Sequence, residues 1–151
     1  SITLIERLCK LFFSLRICYN RSVIMKLTIE GFRKPVSKTN KMRFNRKHGR
    51  AYKDKSVREF EDWLFELGEK SVKHWEETYN QGWDKSKTYE LDLQVTYATK
   101  RKFDIQNCFD TICDALEGVV YDDDTQITYI SGSKTYEKGT DSFIITISSI
   151  E

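Results

Sequence analysis

The sequence predicts a single α+β domain in which one mixed β-sheet of about four strands is covered by two helices. Four segments alternate apolar and polar residues, which indicates half-buried strands, and two others repeat apolar residues three and four positions apart, which indicates amphipathic helices. A chain of 151 residues suits one domain with one core. No internal repeat or low-complexity segment suggests another arrangement.

The predicted order of elements is β-α-β-α-β-β. The strands are predicted at residues 25–31, 89–98, 126–136 and 142–150. Ser56, followed by Glu59 three residues later, is the expected N-cap of the first helix. Asp104 is the expected N-cap of the second helix, which should end at Gly118. The second helix should bury one face and present acidic and amide side chains on the other.

Residues 1–24 form an apolar segment that five charged residues interrupt, so a membrane span is not predicted. Three interpretations remain: an added helix that docks on the domain or a partner, a helix on a membrane surface, or residues upstream of a true start at Met25. We therefore divide the chain into an extension of uncertain status, residues 1–24, and a domain covering residues 25–151.

Charge is distributed unevenly along the chain. The formal net charge is +2, but residues 32–55 carry ten Lys or Arg against one acidic residue, whereas residues 56–151 carry ten against twenty. A basic segment on an acidic body suggests a polyanionic partner held beside a cation site. Only two histidines are present, which argues against imidazole-rich metal sites and most catalytic triads. The four cysteines lack zinc-ligand spacing, so we expect reduced thiols in a cytoplasmic protein.

The basic segment interleaves cationic and aromatic side chains, a composition suited to neutralising phosphates and stacking on unpaired bases. A solvated, charged loop is the alternative interpretation. The residues we expect to contact DNA here are Lys38, Lys41, Arg43, Arg46, Lys47 and Arg50.

Residues 102–127 hold the acidic groups around which we expect the chemistry to take place. Asp104 precedes the second helix, and Asp122, Asp123 and Asp124 follow it. Carboxylates that hold one or two Mg²⁺ or Mn²⁺ ions can support phosphodiester hydrolysis. We expect the chain to return after the helix, so that Asp104 and Asp124 share a metal, with Asp123 as a supporting or substitute ligand. A helix cap followed by a polar turn is the alternative.

The same region carries a family resemblance. The runs D-I-Q-N, C-D-A-L and D-D-x-Q-I, followed by Lys134, resemble the signature of the RusA-type Holliday-junction resolvases, and P-x-S-K-x-N and G-R-A-Y at residues 35–52 add a weaker match. The resemblance implies a RusA-like fold and a small homodimeric endonuclease that needs Mg²⁺ or Mn²⁺ and acts on four-way DNA junctions. It further implies no small-molecule cofactor, no membrane partner, and a location in the cytoplasm of a bacterial or phage-infected cell.

Carried onto this chain, the resemblance assigns residues to three roles. Catalytic residues are expected at Asp104, Gln106, Asp123 and Asp124, of which the three aspartates would hold the metal. Lys134, which belongs to the matched signature, is expected to contact phosphate. Lys100, Arg101 and Lys102 are expected to do so because they stand beside the carboxylates at the end of a predicted strand, and a strand end capped by solvated lysines is the alternative. Asn107 and Asp110 are other motif positions.

Two of these positions depart from the family motif D-x-D-N-x-x-K. Gln106 replaces the second aspartate, which should weaken the affinity for a hard cation, and Asp110 replaces the lysine. Two functions therefore remain open. One is a junction-resolving endonuclease, and the other is a non-cleaving relative that binds branched or single-stranded DNA.

Overall fold

The computed structural model describes residues 25–37 and 42–150. The elements are β1 (Lys26–Gly31), β2 (Met42–Asn45), β3 (Arg50–Lys53), α1 (Lys55–Tyr79), β4 (Thr88–Tyr97), α2 (Gln106–Leu116), a short 3₁₀ helix (Asp124–Gln126), β5 (Ile127–Tyr136) and β6 (Ser142–Ile150). The predicted α+β class is confirmed, because the described residues form two α-helices and a mixed four-stranded sheet.

The four-stranded sheet has the order β1-β6-β4-β5. Strand β6 pairs antiparallel with both β1 and β4, whereas β4 and β5 are parallel. A parallel connection requires a crossover, and α2 provides it. The β4-α2-β5 unit therefore has two loops at opposite ends of the sheet, and this arrangement decides where the acidic residues lie.

The core lies between one face of the sheet and the two helices. Residues of β4 alternate so that Leu91, Leu93 and Val95 are buried, and these contact a cluster that includes Phe60 of α1 and Ile112 of α2. Gly68 lies within α1 where the helices approach each other, since a Cβ there would lie 3.0 Å from a methyl carbon of Leu116. The other face of the sheet carries mostly polar residues.

Segment 32–52 differs from the prediction, which placed no strand there. Strands β2 and β3 form a two-stranded hairpin, and the turn between them contains Gly49 at φ +63°. Positive φ suits glycine because it has no Cβ. The cationic side chains of this segment interrupt the apolar alternation by which strands are recognised, and the pattern therefore gave no sign of the hairpin.

Helix α1 begins two residues earlier than predicted, at Lys55, and its N-cap is Asp54 rather than Ser56. The Asp54 carbonyl accepts hydrogen bonds from the backbone N–H groups of Val57 and Arg58. The Ser56 hydroxyl instead donates to the Asp54 carboxylate at 2.7 Å. The predicted capping box is therefore wrong, although α1 is amphipathic as predicted and buries Val57, Phe60 and Leu64 on one face.

The three interpretations of residues 1–24 concern a segment outside the described residues. Within the described ranges, no helix combines the length and apolar character needed to cross a membrane. Cys108 and Cys113 are buried free thiols, as predicted, while Cys9 and Cys18 lie in the segment that is not described.

Candidate functional site

Asp104 lies in the loop between β4 and α2, at the carboxyl ends of the two parallel strands. Its Oδ1 accepts a hydrogen bond from the Gln106 N–H at 3.0 Å, and its carbonyl accepts one from the Asn107 N–H at 3.3 Å. Helix α2 begins at Gln106 and its N-cap residue is Ile105, so Asp104 lies one residue before the N-cap position that was predicted for it. The carboxylate nevertheless performs the capping bond expected of it.

Cations surround this loop. Lys100, Arg101 and Lys102 are exposed in the chain that leads from β4 to Asp104. Lys134 reaches across from β5, and its Nζ donates to the Phe103 carbonyl at 2.9 Å. The structure therefore brings the four predicted phosphate contacts of this region to the same end of the sheet as Asp104.

Asp124 lies at the opposite end. After α2 ends, the Asp122 N–H donates to the Lys85 carbonyl, and the Gln126 side chain donates to the carbonyls of Lys85 and Lys87, which precede β4. The eleven residues of α2 span about 16 Å between the two loops. The expected return of the chain to Asp104 is therefore wrong, and one chain does not bring Asp104 and Asp124 together.

Asp124 instead joins Asp114 and Glu117. One carboxylate oxygen from each of the three lies within 4.8 Å of the others. Desolvation and the neighbouring carboxylates of Asp123 and Asp124 raise the pKa of Glu117. This group of hard oxygen donors suits Mg²⁺ or Mn²⁺, which prefer carboxylates and retain several waters. Sequence analysis assigned no metal role to Asp114 or Glu117, although both lie on the predicted acidic face of the helix.

Asp123 has a structural role in this loop. Its Oδ1 accepts from the Thr125 N–H at 2.8 Å, and its own N–H donates to the Gln126 side chain at 2.8 Å. These reciprocal bonds form a capping box on the 3₁₀ helix. Hydrogen bonds from Thr125 lower the pKa of the Asp123 carboxyl group. Asp123 therefore shapes the turn that presents Asp124.

A family model for the endodeoxyribonuclease RusA matches residues 33–148, which is most of the chain. The chain belongs to the RusA family. No curated protein gives a significant match to it. The RusA match covers the β2-β3 hairpin, both carboxylate loops and the cations around Asp104, so it includes every predicted site residue.

In this RusA-family chain the two departures from the motif lie on the exposed surface of α2. Gln106 and Asp110 are exposed, and Asn107 is half-buried. Gln106 is two residues from Asp104, where a second carboxylate would otherwise stand. Beside Asp104, position 106 therefore offers a neutral amide in place of a second carboxylate.

The basic hairpin is described in part. Lys38 and Lys41 lie outside the described residues, and only the backbone of Arg43 is described. Arg46 and Lys47 are exposed in the turn, and Arg50 is exposed at the start of β3.

Lys53, at the end of β3, is a residue that sequence analysis missed. Its Nζ lies 2.8 Å from Glu61 of α1 and 4.0 Å from Asp114 of α2. In the sequence, Lys53 is one of several cations in a basic segment, and nothing in that pattern distinguishes it as the lysine that pairs with acidic residues of both helices. Lys53 thus connects the RusA-family hairpin to the carboxylate group at the far end of α2.

Proposed function

We propose that this chain is a divalent-metal-dependent endonuclease that resolves four-way DNA junctions as a homodimer. One observation carries the proposal within the RusA family: an exposed carboxylate, Asp104, stands among four cations at one end of the sheet. Cations beside a carboxylate suit a phosphate backbone held next to a bound metal ion.

The carboxylates divide the work of holding Mg²⁺ or Mn²⁺ in this proposal. Asp104 and the Gln106 amide oxygen would supply ligands at one end of α2, and Asp114, Glu117 and Asp124 would supply ligands at the other. A metal ion held in this way lowers the pKa of a bound water and neutralises charge on the leaving oxygen. The protein would itself orient the sugar-phosphate backbone of the DNA, through Lys100, Arg101, Lys102 and Lys134.

Gln106 and Asp110 support a second candidate function. They remove one negative charge from the Asp104 end and replace a cation by an anion, relative to the family motif. A chain with these changes could keep the fold and the basic surfaces while losing cleavage. It would then be a protein that binds branched or single-stranded DNA.

A cleavage assay separates the two functions. We would incubate the protein with an end-labelled four-way junction and a matched linear duplex in Mg²⁺, in Mn²⁺ and in EDTA. Asp104→Asn is the test variant, and Asp62→Asn, an equal change at an exposed site on α1, is its control. The nuclease proposal expects paired, metal-dependent nicks near the crossover that vanish in Asp104→Asn alone. Salt-sensitive junction binding without nicks in either metal would establish the binding protein instead.

A further inference from the structure

A cavity of about 370 Å³ opens at the carboxyl ends of β4 and β5, beside the loop that holds Asp104. The carboxyl ends of parallel strands are where open α/β sheets commonly bind ligands. Its volume lies toward the lower end of the range for small-molecule sites, about 300–1,000 Å³. The side chains that line it include Tyr97, Lys100, Arg101, Phe103, Lys134 and Tyr136.

Aromatic rings form the apolar part of the cavity. The rings of Tyr97 and Phe103 contact each other, with centroids 4.3 Å apart. Tyr136 is 45% exposed, so much of its ring is available to a ligand. Tyr136 stands opposite Tyr97 in the parallel register of β5 and β4, which places both on the same face of the sheet. An exposed ring beside a buried Tyr97 and a half-buried Phe103 suits stacking by one planar group.

The ring of Tyr97, rather than its hydroxyl, is open to the cavity. Tyr97 is only 6% exposed, and its hydroxyl oxygen is itself buried, without a hydrogen-bond partner among the described residues. A ligand in the cavity therefore contacts the Tyr97 ring as part of the apolar wall, and the accessible polar partners are the cations.

Cations complete the cavity and restrict the class of ligand. Lys100 Nζ lies 5.1 Å from the centre of the Tyr136 ring, and Lys134 Nζ is fixed by the Phe103 carbonyl. Positive charge at the rim and a stackable ring inside call for a ligand that is both planar and anionic. A nucleotide has both properties, since its base stacks and its phosphates bind cations.

We propose that this cavity binds one unpaired base of the DNA, extruded at the crossover of a branched substrate. The inference rests on the proposed function and adds a base-binding site to it. Tyr136 would stack on the base, the rings of Tyr97 and Phe103 would form the apolar wall beside it, and Lys100 and Lys134 would bind the adjacent phosphates. A continuous duplex keeps its bases stacked and paired, so base extrusion would favour branched DNA.

Junction binding in EDTA tests this site without requiring cleavage. One junction carries its normal bases, a second has abasic nucleotides at the crossover, and a third has them within an arm. The variants are Tyr136→Ser and the matched control Tyr129→Ser, on the same strand but facing away from the cavity. Thermal unfolding checks that each variant is folded.

The original chain and Tyr129→Ser should lose about tenfold or more in affinity when the crossover is abasic, and little when the arm is. Tyr136→Ser should bind the normal junction about as weakly as the original chain binds the abasic one, and should not distinguish the two. Equal abasic sensitivity in Tyr136→Ser and the original chain would overturn the site, as would no sensitivity in the original chain. If the original chain distinguishes normal from abasic crossovers but makes no nicks in the cleavage assay with metal, only the nuclease proposal is overturned. If it does not bind the junction at all, both proposals are overturned.

Discussion

Gln106 is the residue whose neutral side chain should matter most for the metal position proposed at Asp104. The Gln106 backbone N–H donates to Asp104 Oδ1 at 3.0 Å, as in the first turn of a helix. The Gln106 side chain is exposed. An amide oxygen is able to ligate Mg²⁺ but brings no charge, and affinity for hard cations rises with the number of carboxylates.

Gln106→Asp should therefore lower the Mg²⁺ concentration that gives half-maximal cleavage by about tenfold, which corresponds to about 1.4 kcal/mol of metal binding. A Mg²⁺ titration of junction cleavage measures the change. Gln94→Asp, which adds the same charge at an exposed site on β4, controls for net charge. An identical Mg²⁺ requirement in the two variants would contradict a metal position at Asp104.

The buried cysteines illustrate the opposite effect, in which the fold suppresses ionisation. Burial is the main cause that raises the pKa of Cys108 to about 12 and that of Cys113 to about 11. Since the thiolate is the reactive form, both should resist iodoacetamide at pH 8 in the folded protein and react after denaturation. Mass spectrometry of the separate peptides measures this and distinguishes them from Cys9 and Cys18. Rapid labelling of the native protein at Cys108 would contradict its burial.

The same shifts make stability depend on pH. A thiol whose folded pKa exceeds its ordinary value of 9.0 contributes stability that is complete below pH 9. That contribution decreases as the pH rises from 9 toward 11 and 12, because the unfolded chain then loses the proton first. Urea unfolding at pH 8 and pH 10 should show a lower free energy of unfolding at pH 10, and Cys108→Ala should reduce the difference.

At the scale of elements, Lys53 links the β2-β3 hairpin to the two helices. The ammonium group pairs with Glu61 at 2.8 Å and lies 4.0 Å from Asp114, which joins the hairpin to both helices. Because the Lys53 side chain is 35% exposed, the pair should contribute no more than about 1 kcal/mol to stability. Its main effect should be to hold the basic turn in place.

Lys53→Met should leave the melting temperature within a few degrees of its original value and speed amide exchange in β2 and β3. Junction affinity should fall several-fold because the cations of the turn would be less well positioned. Lys55→Met is the control, since Lys55 pairs with Glu59 only at the surface, 3.6 Å away. Unchanged exchange in the hairpin after Lys53→Met would show that other contacts hold it.

The elements that the sequence predicted well are those that bury one face. Strand β4 alternates over its whole length, and β6 was predicted with its correct bounds. The β2-β3 hairpin was missed because its cations conceal the alternation. The joint Asp104 and Asp124 site failed for a topological reason: β4 and β5 are parallel, so the loops at the two ends of α2 lie far apart. Periodicity identifies strands, but it does not give the direction in which two of them pair.

For the whole molecule, that separation makes the proposed homodimer important for chemistry. Asp104 and Asp124 lie at opposite ends of α2 within one chain, so they can contribute to one metal position only across an interface between two chains. In a twofold dimer, each Asp104 would then meet the partner's Asp124. The alternative is that the two ends of α2 hold metal ions independently.

Mixing two inactive variants distinguishes these arrangements. The Asp104→Asn and Asp124→Asn chains are unfolded together and refolded, so that heterodimers form. If each site takes Asp104 from one chain and Asp124 from the other, one of the two sites in a heterodimer keeps both aspartates. Single nicks should therefore return in the mixture, although each variant alone is inactive. The control is each variant refolded by itself. A mixture as inactive as its components would show that each site is complete within one chain.

The position of β6 has a further consequence, for how the protein is made. Strand β6 lies between β1 and β4, so Lys26 of β1 pairs with Ser148 of β6, far away in sequence. The Met25 N–H donates to the Ser149 hydroxyl, and the Ser149 N–H donates to the Met25 carbonyl. During synthesis, β1 and β4 have no common neighbour until β6 has left the ribosome, so the four-stranded sheet is completed only after β6 has been made. Loss of β6 would leave β1 without its partner and β4 unpaired along one edge, and should make the chain a substrate for proteolysis.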